Sequence, residues 1–345
     1  MKAIMQYVKL GWSGVKVSQL CLGTWYLPRL DERDEYGVHK VDVDAVMKIM
    51  KRAHDEGINC IDTANRYHGA MSPVDLNHVG NSERVVGQFL KTVDRESIVL
   101  ATKVRGQMAA WPNGEGLSRK HIRWQVRQSL RRLGVDYIDL YQIHWPDPDT
   151  PKMETLRTLN NLVEEGVVNY IGESNHPAHD VVEFMELADK HGMEPFVTMQ
   201  EVYNILNRDI ERDKIHVAKR YGVAILAYSP LAQGVLTGKY VDFNARKWIT
   251  PNNSRAAISS SMQGYMNDGN LRILLELNEV AKSRDITLGQ ASLAWLISMQ
   301  ERLGVNIIPI IGISKMEHLE DDLGALSVKL SQDDLKRIDD IIRTH

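Results

Sequence analysis

Residues 97–103 and 136–144 read SIVLATK and DYIDLYQIH, and between them runs SRKHIRWQVRQSLRRLG (118–134). A short apolar run closing on a lysine, an amphipathic stretch, and a second apolar run closing on a histidine make one β/α/β unit. The run before them, GINCID (57–62), closes on Asp62 and is followed five residues on by Tyr67 in DTANRY. In a parallel α/β barrel the carboxyl end of a strand is where chemistry is done. Asp62, Tyr67, Lys103 and His144 are therefore the candidate catalytic residues.

Working outward, the unit repeats. LCLGT (20–24) precedes DAVMKIMKRAHDEG (44–57), in which Val46, Ile49, Met50 and Ala53 share one helical face and Gly57 suits the position just past the helix end. GINCID precedes NSERVVGQFLKTV (81–93), and Ser118 and Gly134 mark the start and end of the helix after SIVLATK. DYIDLYQIH precedes METLRTLNNLVEEG (153–166), VVNYIGESN (167–175) precedes PAHDVVEFMELADKHG (177–192), and PFVTMQ (195–200) precedes DIERDKIHVAKRYG (209–222). VAILAYSP (223–230) is assigned the helix NLRILLELNEVAKSR (270–284), and NIIPIIGIS (306–314) leads into EHLEDDLGAL (317–326). Eight units predict a closed (β/α)8 TIM barrel, one domain over residues 1–345. No GxGxxG follows the first strand to favour an open doubly wound sheet.

Additions to the minimal barrel are also legible. QYVKLGWSGVKVSQL (6–20) alternates about a turn at Trp12 to Gly14 and predicts an N-terminal β-hairpin. SQDDLKRIDDIIR (331–343) predicts an extra C-terminal helix with Leu335, Ile338, Ile341 and Ile342 on one face. Residues 26–42 and 68–80 read as long loops on the side where Asp62 and Tyr67 emerge, and 239–269 reads as a lid.

Hydrophobic residues at 43% and charged residues at 25% are ordinary for a globular chain with a large core, and the net charge of −3 gives no footprint for nucleic acid. No run of about 18 apolar residues occurs to suggest a membrane span. No leader pattern opens the sequence, and the expected location is cytoplasmic. Cys21 and Cys60 lie in apolar runs and read as small buried hydrophobes in preference to a disulfide or a reactive thiol.

The four strand-end groups have complementary chemistry. A tyrosine hydroxyl donates at neutral pH, and a neighbouring ammonium would lower its pKa and make it a better acid. Lys103 can supply that ammonium, Asp62 can keep it charged and placed, and His144 can offer a second donor to an oxygen gathering negative charge. Such a site protonates or polarises a carbonyl oxygen. Asp62 alone could be a helix cap, and His144 a satisfied barrel histidine; their common register favours the site. No second His or Cys at ligand spacing accompanies His144, so no metal is expected.

This constellation resembles the aldo-keto reductase family. The likeness rests on DTANRY, ATK and QIHWPD in order, and extends to GTW (Gly23, Thr24, Trp25), IGESN (Ser174, Asn175), Gln200, AYSPLAQGVLTGKY (227–240), NSR (Arg255) and GISKMEHLEDDLGA (312–325). It implies NADP(H)-dependent reduction of a small aldehyde or ketone on a (β/α)8 barrel, with Asp62, Tyr67, Lys103 and His144 as the tetrad. It further implies that Ser174, Asn175 and Gln200 hold the nicotinamide amide, and that Tyr228 stacks on the ring. Ser229, Pro230, Leu231, Ala232, Gln233 and Gly234, with Lys239 and Arg255, would wrap the pyrophosphate. Gly312, Ser314, Lys315, His318, Asp321 and Asp322 would receive the adenosine end.

A cation at Lys315 argues for NADP over NAD, although Lys315 also reads as an ordinary solvated lysine. The family usually shows Glu-Asn where this chain has Asp321 and Asp322, and an ionised Asp accepts a hydrogen bond but cannot donate one as Asn does. Trp25 and Trp145 either line the substrate pocket beside Tyr67 and His144 or serve as packing aromatics. The long strand-to-helix loops resemble the branch that contains potassium-channel β-subunit-like proteins. That branch implies a second reading, an NADP-binding regulatory barrel with slow turnover. Barrel surfaces of this composition serve monomers and homo-oligomers alike.

Overall fold

A computed structural model describes residues 5–69, 75–252 and 254–345. In chain order it opens with an antiparallel hairpin of β1 (Tyr7–Lys9) and β2 (Lys16–Ser18), then β3 (Cys21–Gly23), β4 (Arg29–Arg33), β5 (His39–Val41), α1 (Val43–Asp55) and β6 (Cys60–Asp62). Next come α2 (Asn81–Leu90), β7 (Val99–Val104), α3 (Arg119–Leu133), β8 (Ile138–Ile143), α4 (Lys152–Glu164), β9 (Val168–Ser174), α5 (Ala178–His191) and β10 (Thr198–Val202). The chain continues through α6 (Lys214–Tyr221), β11 (Ala224–Tyr228), β12 (Val241–Asp242), β13 (Lys247–Trp248), α7 (Arg255–Ile258), α8 (Ser260–Gln263), α9 (Asp268–Ser283) and α10 (Leu288–Leu303). It closes with β14 (Ile307–Gly312), α11 (Met316–Gly324) and α12 (Gln332–Thr344).

Strands β3, β6, β7, β8, β9, β10, β11 and β14 form a closed, all-parallel barrel, so the expected (β/α)8 fold is present. Local chemistry explains the boundaries. The Ser118 hydroxyl accepts from the His121 amide at the head of α3, and Gly134 ends it in the left-handed conformation. On α1 the buried residues are Val46, Ile49, Met50 and Ala53, the face that periodicity picks out. The apolar sides of the barrel helices meet the outside of the strands, and a smaller cluster fills the barrel floor. There the first hairpin acts as a plug, with Leu10 and Val17 packed among Cys21, Leu140, Val197 and Ile308. The plug turns at Gly11, where a Cβ would lie 2.2 Å from the Val197 carbonyl oxygen, so only glycine fits.

Three expectations are corrected. Cys21 and Cys60 are joined as a disulfide: β3 and β6 pair with these residues opposite one another, their Cα atoms 4.7 Å apart, an adjacency that apolar runs taken singly do not reveal. The helix facing the barrel before β14 is α10, which packs on β14; the stretch 270–284 falls in α9, which packs on α10 and α12 farther out. The C-terminal helix α12 buries Leu335, Ile338 and Ile341 in that outer layer. The segment 26–42 is not a structureless loop but carries the β4/β5 hairpin, tied down where the Leu27 amide donates to the Gly69 carbonyl at 2.9 Å. His78 clips the hairpin to the next loop by pairing with Asp34 and with Asp75. Burial opposes the charge on His78, but the two carboxylates outweigh it and hold the imidazolium above its ordinary pKa. The expected loop at 68–80 is only partly within the described residues.

The expected lid, 239–269, contains the β12/β13 pair and the short α7 and α8, with Val241, Ala256 and Met262 buried in the main core. Among the described residues, no helix is long and apolar enough to cross a membrane, and no group of three His, Cys, Asp or Glu side chains is placed to hold a metal ion.

Candidate functional site

The register of the barrel decides which strand-end side chains meet. Gly23 pairs with Asp62, Asp62 with Ala101, and Lys103 with Gln142, all on strands that emerge at one rim. Lys103, fully buried, donates from Nζ to Asp62 Oδ2 at 2.5 Å, to the Thr63 carbonyl at 2.9 Å and to Tyr67 Oη at 3.1 Å. The other carboxylate oxygen of Asp62 accepts from Gln200 Nε2 at 2.8 Å and Gln142 Nε2 at 3.2 Å. A buried ion pair is favourable only when such surrounding hydrogen bonds compensate for lost water, and here each charge has several.

Burial acts against the ammonium, yet Asp62 and then Tyr67 hold the Lys103 pKa above its usual value, so it stays charged. For Tyr67 the balance differs from the expected depression. Burial pushes its pKa up and the Lys103 charge only partly offsets this, so the hydroxyl is firmly protonated. His144 is pushed well below its ordinary range by burial first, then by the charges of Lys103, Arg66 and Arg105. It is a neutral ring, with one N–H to offer.

Aromatic rings complete this end. Trp25 meets the Tyr67 ring edge-on at 4.7 Å, His144 lies 5.6 Å from Tyr67, and Trp145 lies 4.1 Å from His144. Trp25 and Trp145 both line the cleft.

From the tetrad a cleft of about 560 Å³ runs over the ends of β9, β10 and β11 to β14 and α11. Asn175 sits at its middle with a φ of 63°, a left-handed conformation uncommon for a side-chain-bearing residue. Its side chain is fixed from three sides. Nδ2 donates to the His144 carbonyl at 2.9 Å and to Ser174 Oγ at 2.8 Å, while Oδ1 accepts from the Tyr228 hydroxyl at 2.8 Å. Ser174 in turn donates to the Gln200 carbonyl at 2.7 Å. Behind this row lies Glu201, whose pKa burial and then the Glu173 charge push up to about 8.

Beyond Tyr228 the backbone is strained. Ser229, Ala232 and Gln233 take φ values of 52°, 47° and 58°, and Gly234 takes 97°. Two amides of this turn are engaged within it, Ala232 N–H donating to the Ser229 carbonyl at 2.9 Å and Gly234 N–H to the Leu231 carbonyl at 2.8 Å, so the strain fixes the shape of the turn at the cleft wall. A Cβ on Gly234 would stand 3.1 Å from Lys239 Nζ, so the glycine leaves room for the lysine at the cleft. At the far end Ser314 Oγ lies 3.1 Å from His318 Nδ1, and burial, Lys239 and Lys315 together lower the His318 pKa. Asp321 is engaged by Thr287 Oγ1 at 3.0 Å, at the N-cap of α10. Asp322 is buried, and burial first and Asp321 second raise its pKa well above the carboxylate range. A protonated Asp322 has the O–H donor that an ionised Asp lacks.

Of the residues singled out in the sequence, Gly23, Thr24, Trp25, Asp62, Tyr67, His144, Trp145, Ser174, Asn175, Gln200, Tyr228, Ser229, Pro230, Leu231, Gln233, Gly234, Lys239, Gly312, Ser314, His318, Asp321 and Asp322 line the cleft together. Lys103 lies behind it in contact with Tyr67 and Asp62, Ala232 is buried beneath the strained turn, and Lys315 stands at the rim, where its charge reaches His318. The Arg255 side chain lies outside the described set. The sequence reading missed Gln142, which holds Asp62, and the cleft residues Tyr26, Arg66, Thr237, Ile310 and Ile311. Gln142 has a sequence signal: it stands in β8 two residues before His144, the spacing that returns a side chain to the same face of an extended chain. The others lie on loops or offer only apolar wall.

The lining of the cleft is compatible with a nicotinamide cofactor: a fixed row of polar side chains, a strained turn beside a lysine, and a far pocket that the charges of Lys239 and Lys315 reach. Comparison with known proteins points the same way. The sequence model described as "Aldo/keto reductase family" matches residues 19–343. The chain is 34% identical over 357 residues to a Schizosaccharomyces pombe protein bearing the name of an aryl-alcohol dehydrogenase, covering 97% of this chain and 95% of that one. It is 33% identical to a protein of the same organism named as a voltage-gated potassium channel subunit beta, over 96% of this chain and 92% of the other. It is 29% identical to versiconal hemiacetal acetate reductase of Aspergillus parasiticus, over 97% and 96%.

Proposed function

This chain belongs to the aldo/keto reductase family of oxidoreductases, and from that premise we propose that it reduces a small aldehyde or ketone to the alcohol with NADP(H) as cofactor. The observation that carries the proposal is the Tyr67 hydroxyl held 3.1 Å from a buried ammonium that Asp62 keeps charged. The cofactor, when bound, supplies the hydride. Tyr67 Oη gives its proton to the carbonyl oxygen, and Lys103 stabilises the phenolate left behind. His144, neutral, offers an N–H to the same oxygen and so places the carbonyl. Asp62 fixes Lys103, while Gln142 and Gln200 fix Asp62. Trp25 and Trp145 keep water from the reacting atoms.

The preference for NADP rests on Lys239 and Lys315 near His318, where a second phosphate would be neutralised. Similarity to a channel β-subunit supports the alternative of a slow, cofactor-retaining regulatory barrel. The complete tetrad favours turnover. We expect sustained turnover on a panel of aldehydes and ketones, faster with NADPH than with NADH. A single-turnover burst followed by negligible steady-state rate would favour the regulatory reading, and no binding of either nucleotide would reject both.

A further inference from the structure

We propose that the carbonyl substrate carries an anionic group, a carboxylate or a phosphate, and that Arg66 receives it. This rests on the reductase reading above and names its substrate class. A positive charge is left over at the tetrad end of the cleft. Lys103 is balanced by Asp62 at 2.5 Å, and Arg105 by Glu115 at 3.3 Å. His144 is neutral. Arg66 lines the cleft one residue before Tyr67 and pairs with no carboxylate among the described residues. The remaining residues, 1–4, 70–74 and 253, read MKAI, AMSPV and N, and contain no acid. The reaction end of the cleft thus keeps one uncompensated positive charge.

That charge is held in place. A Cβ on Gly106 would stand 2.7 Å from Arg66 Cδ and 2.9 Å from its Cβ, so the arginine stem rests on the bare glycine backbone. Arg105, just before that glycine, takes a φ of 128°, which a side-chain-bearing residue adopts only under constraint, and its guanidinium lies over Trp145 at 5.4 Å. A guanidinium serving only the fold would find a carboxylate or a row of carbonyl oxygens, whereas Arg66 lines the same cleft as Trp25, Tyr67, His144 and Trp145. Its planar fork matches a carboxylate or phosphate in two parallel hydrogen bonds, and the surrounding rings lower the local dielectric and strengthen them. The anionic group is unchanged in the reaction and orients the carbonyl toward Tyr67.

The test compares kcat/KM with NADPH for matched pairs: para-carboxybenzaldehyde against benzaldehyde, succinate semialdehyde against butanal, and glyceraldehyde phosphate against glyceraldehyde. We expect the anionic member to be preferred by about tenfold or more, chiefly through KM, and the preference to weaken with added salt. The ratio should collapse in Arg66→Leu, return in large part in Arg66→Lys, and reverse in Arg66→Glu when the partner is a cationic benzaldehyde. The carboxylate and phosphate arms decide which anion is meant. Equal kcat/KM within every pair, or a preference that survives Arg66→Leu, overturns the inference while leaving the reductase reading intact. Calorimetric binding of para-carboxybenzyl alcohol against benzyl alcohol keeps the two apart. An Arg66-dependent preference in binding without any turnover upholds the anion site and rejects the reductase reading, and neither preference nor turnover rejects both.

Discussion

The two ends of the cleft are built on opposite plans. At the tetrad end Asp62 and Lys103 stand on barrel strands, held by a closed set of hydrogen bonds, and Tyr67, in the segment after β6, has Lys103 as its one strong neighbour. At the far end the groups stand on the turn after β11 and on α11, where the backbone is strained through Ser229, Ala232 and Gln233 and the Asp321 charge acts on Asp322. The difference follows from the work. Proton transfer needs a fixed distance, which the strand-borne Lys103 and Asp62 supply to Tyr67, whereas the wall of a long cleft can be shaped by a strained turn.

The largest break in that contrast should come from Lys103→Met. It leaves Asp62 buried with two amide donors and no counter-charge, and should cost about 3–5 kcal/mol of stability together with most of the turnover. Adding Asp62→Asn should restore stability but not activity, read by thermal melting beside steady-state rates. A single variant as stable as the parent would show that the pair is not balanced as described.

A smaller effect belongs to the other end. The Asp322 pKa is raised in the folded state, so its contribution is complete below the ordinary carboxylate range and is lost as pH rises through the elevated value. NADPH affinity and melting temperature should therefore fall on the alkaline side, and Asp322→Asn should remove that fall. Superimposable pH profiles for the two proteins would contradict a protonated Asp322. Smaller again is Ala232→Gly, which relieves a φ of 47°. Relief and added chain entropy nearly cancel, so stability should move by less than about 1 kcal/mol while NADPH binding weakens a few-fold as the turn at the cleft wall loses its fixed shape.

The same contrast explains what the sequence disclosed. Strand ends are legible because an apolar run closing on Asp62, Lys103 or His144 fixes both position and rim, and the parallel register does the rest. Cys21 and Cys60 were misjudged because pairing is a property of two strands together. The helix α10 was passed over because it is buried around most of its circumference, with Leu288, Ala291, Ser292, Leu293, Trp295 and Leu296 all inside, so no single apolar stripe marks it. Arg66 and the Tyr67 pKa were hidden for a third reason: a charge balance and a burial balance exist only once distant segments have met.

The central claim is that Tyr67 gives the proton while the cofactor gives the hydride. Single-turnover reduction with NADPH carrying deuterium at its transferable position, in the parent and in Tyr67→Phe, addresses it most directly. The account predicts deuterium on the carbinol carbon of the product, and in the variant a transfer step slower by about 100-fold or more. Product free of deuterium, or a phenylalanine variant that transfers at the parent rate, would contradict it.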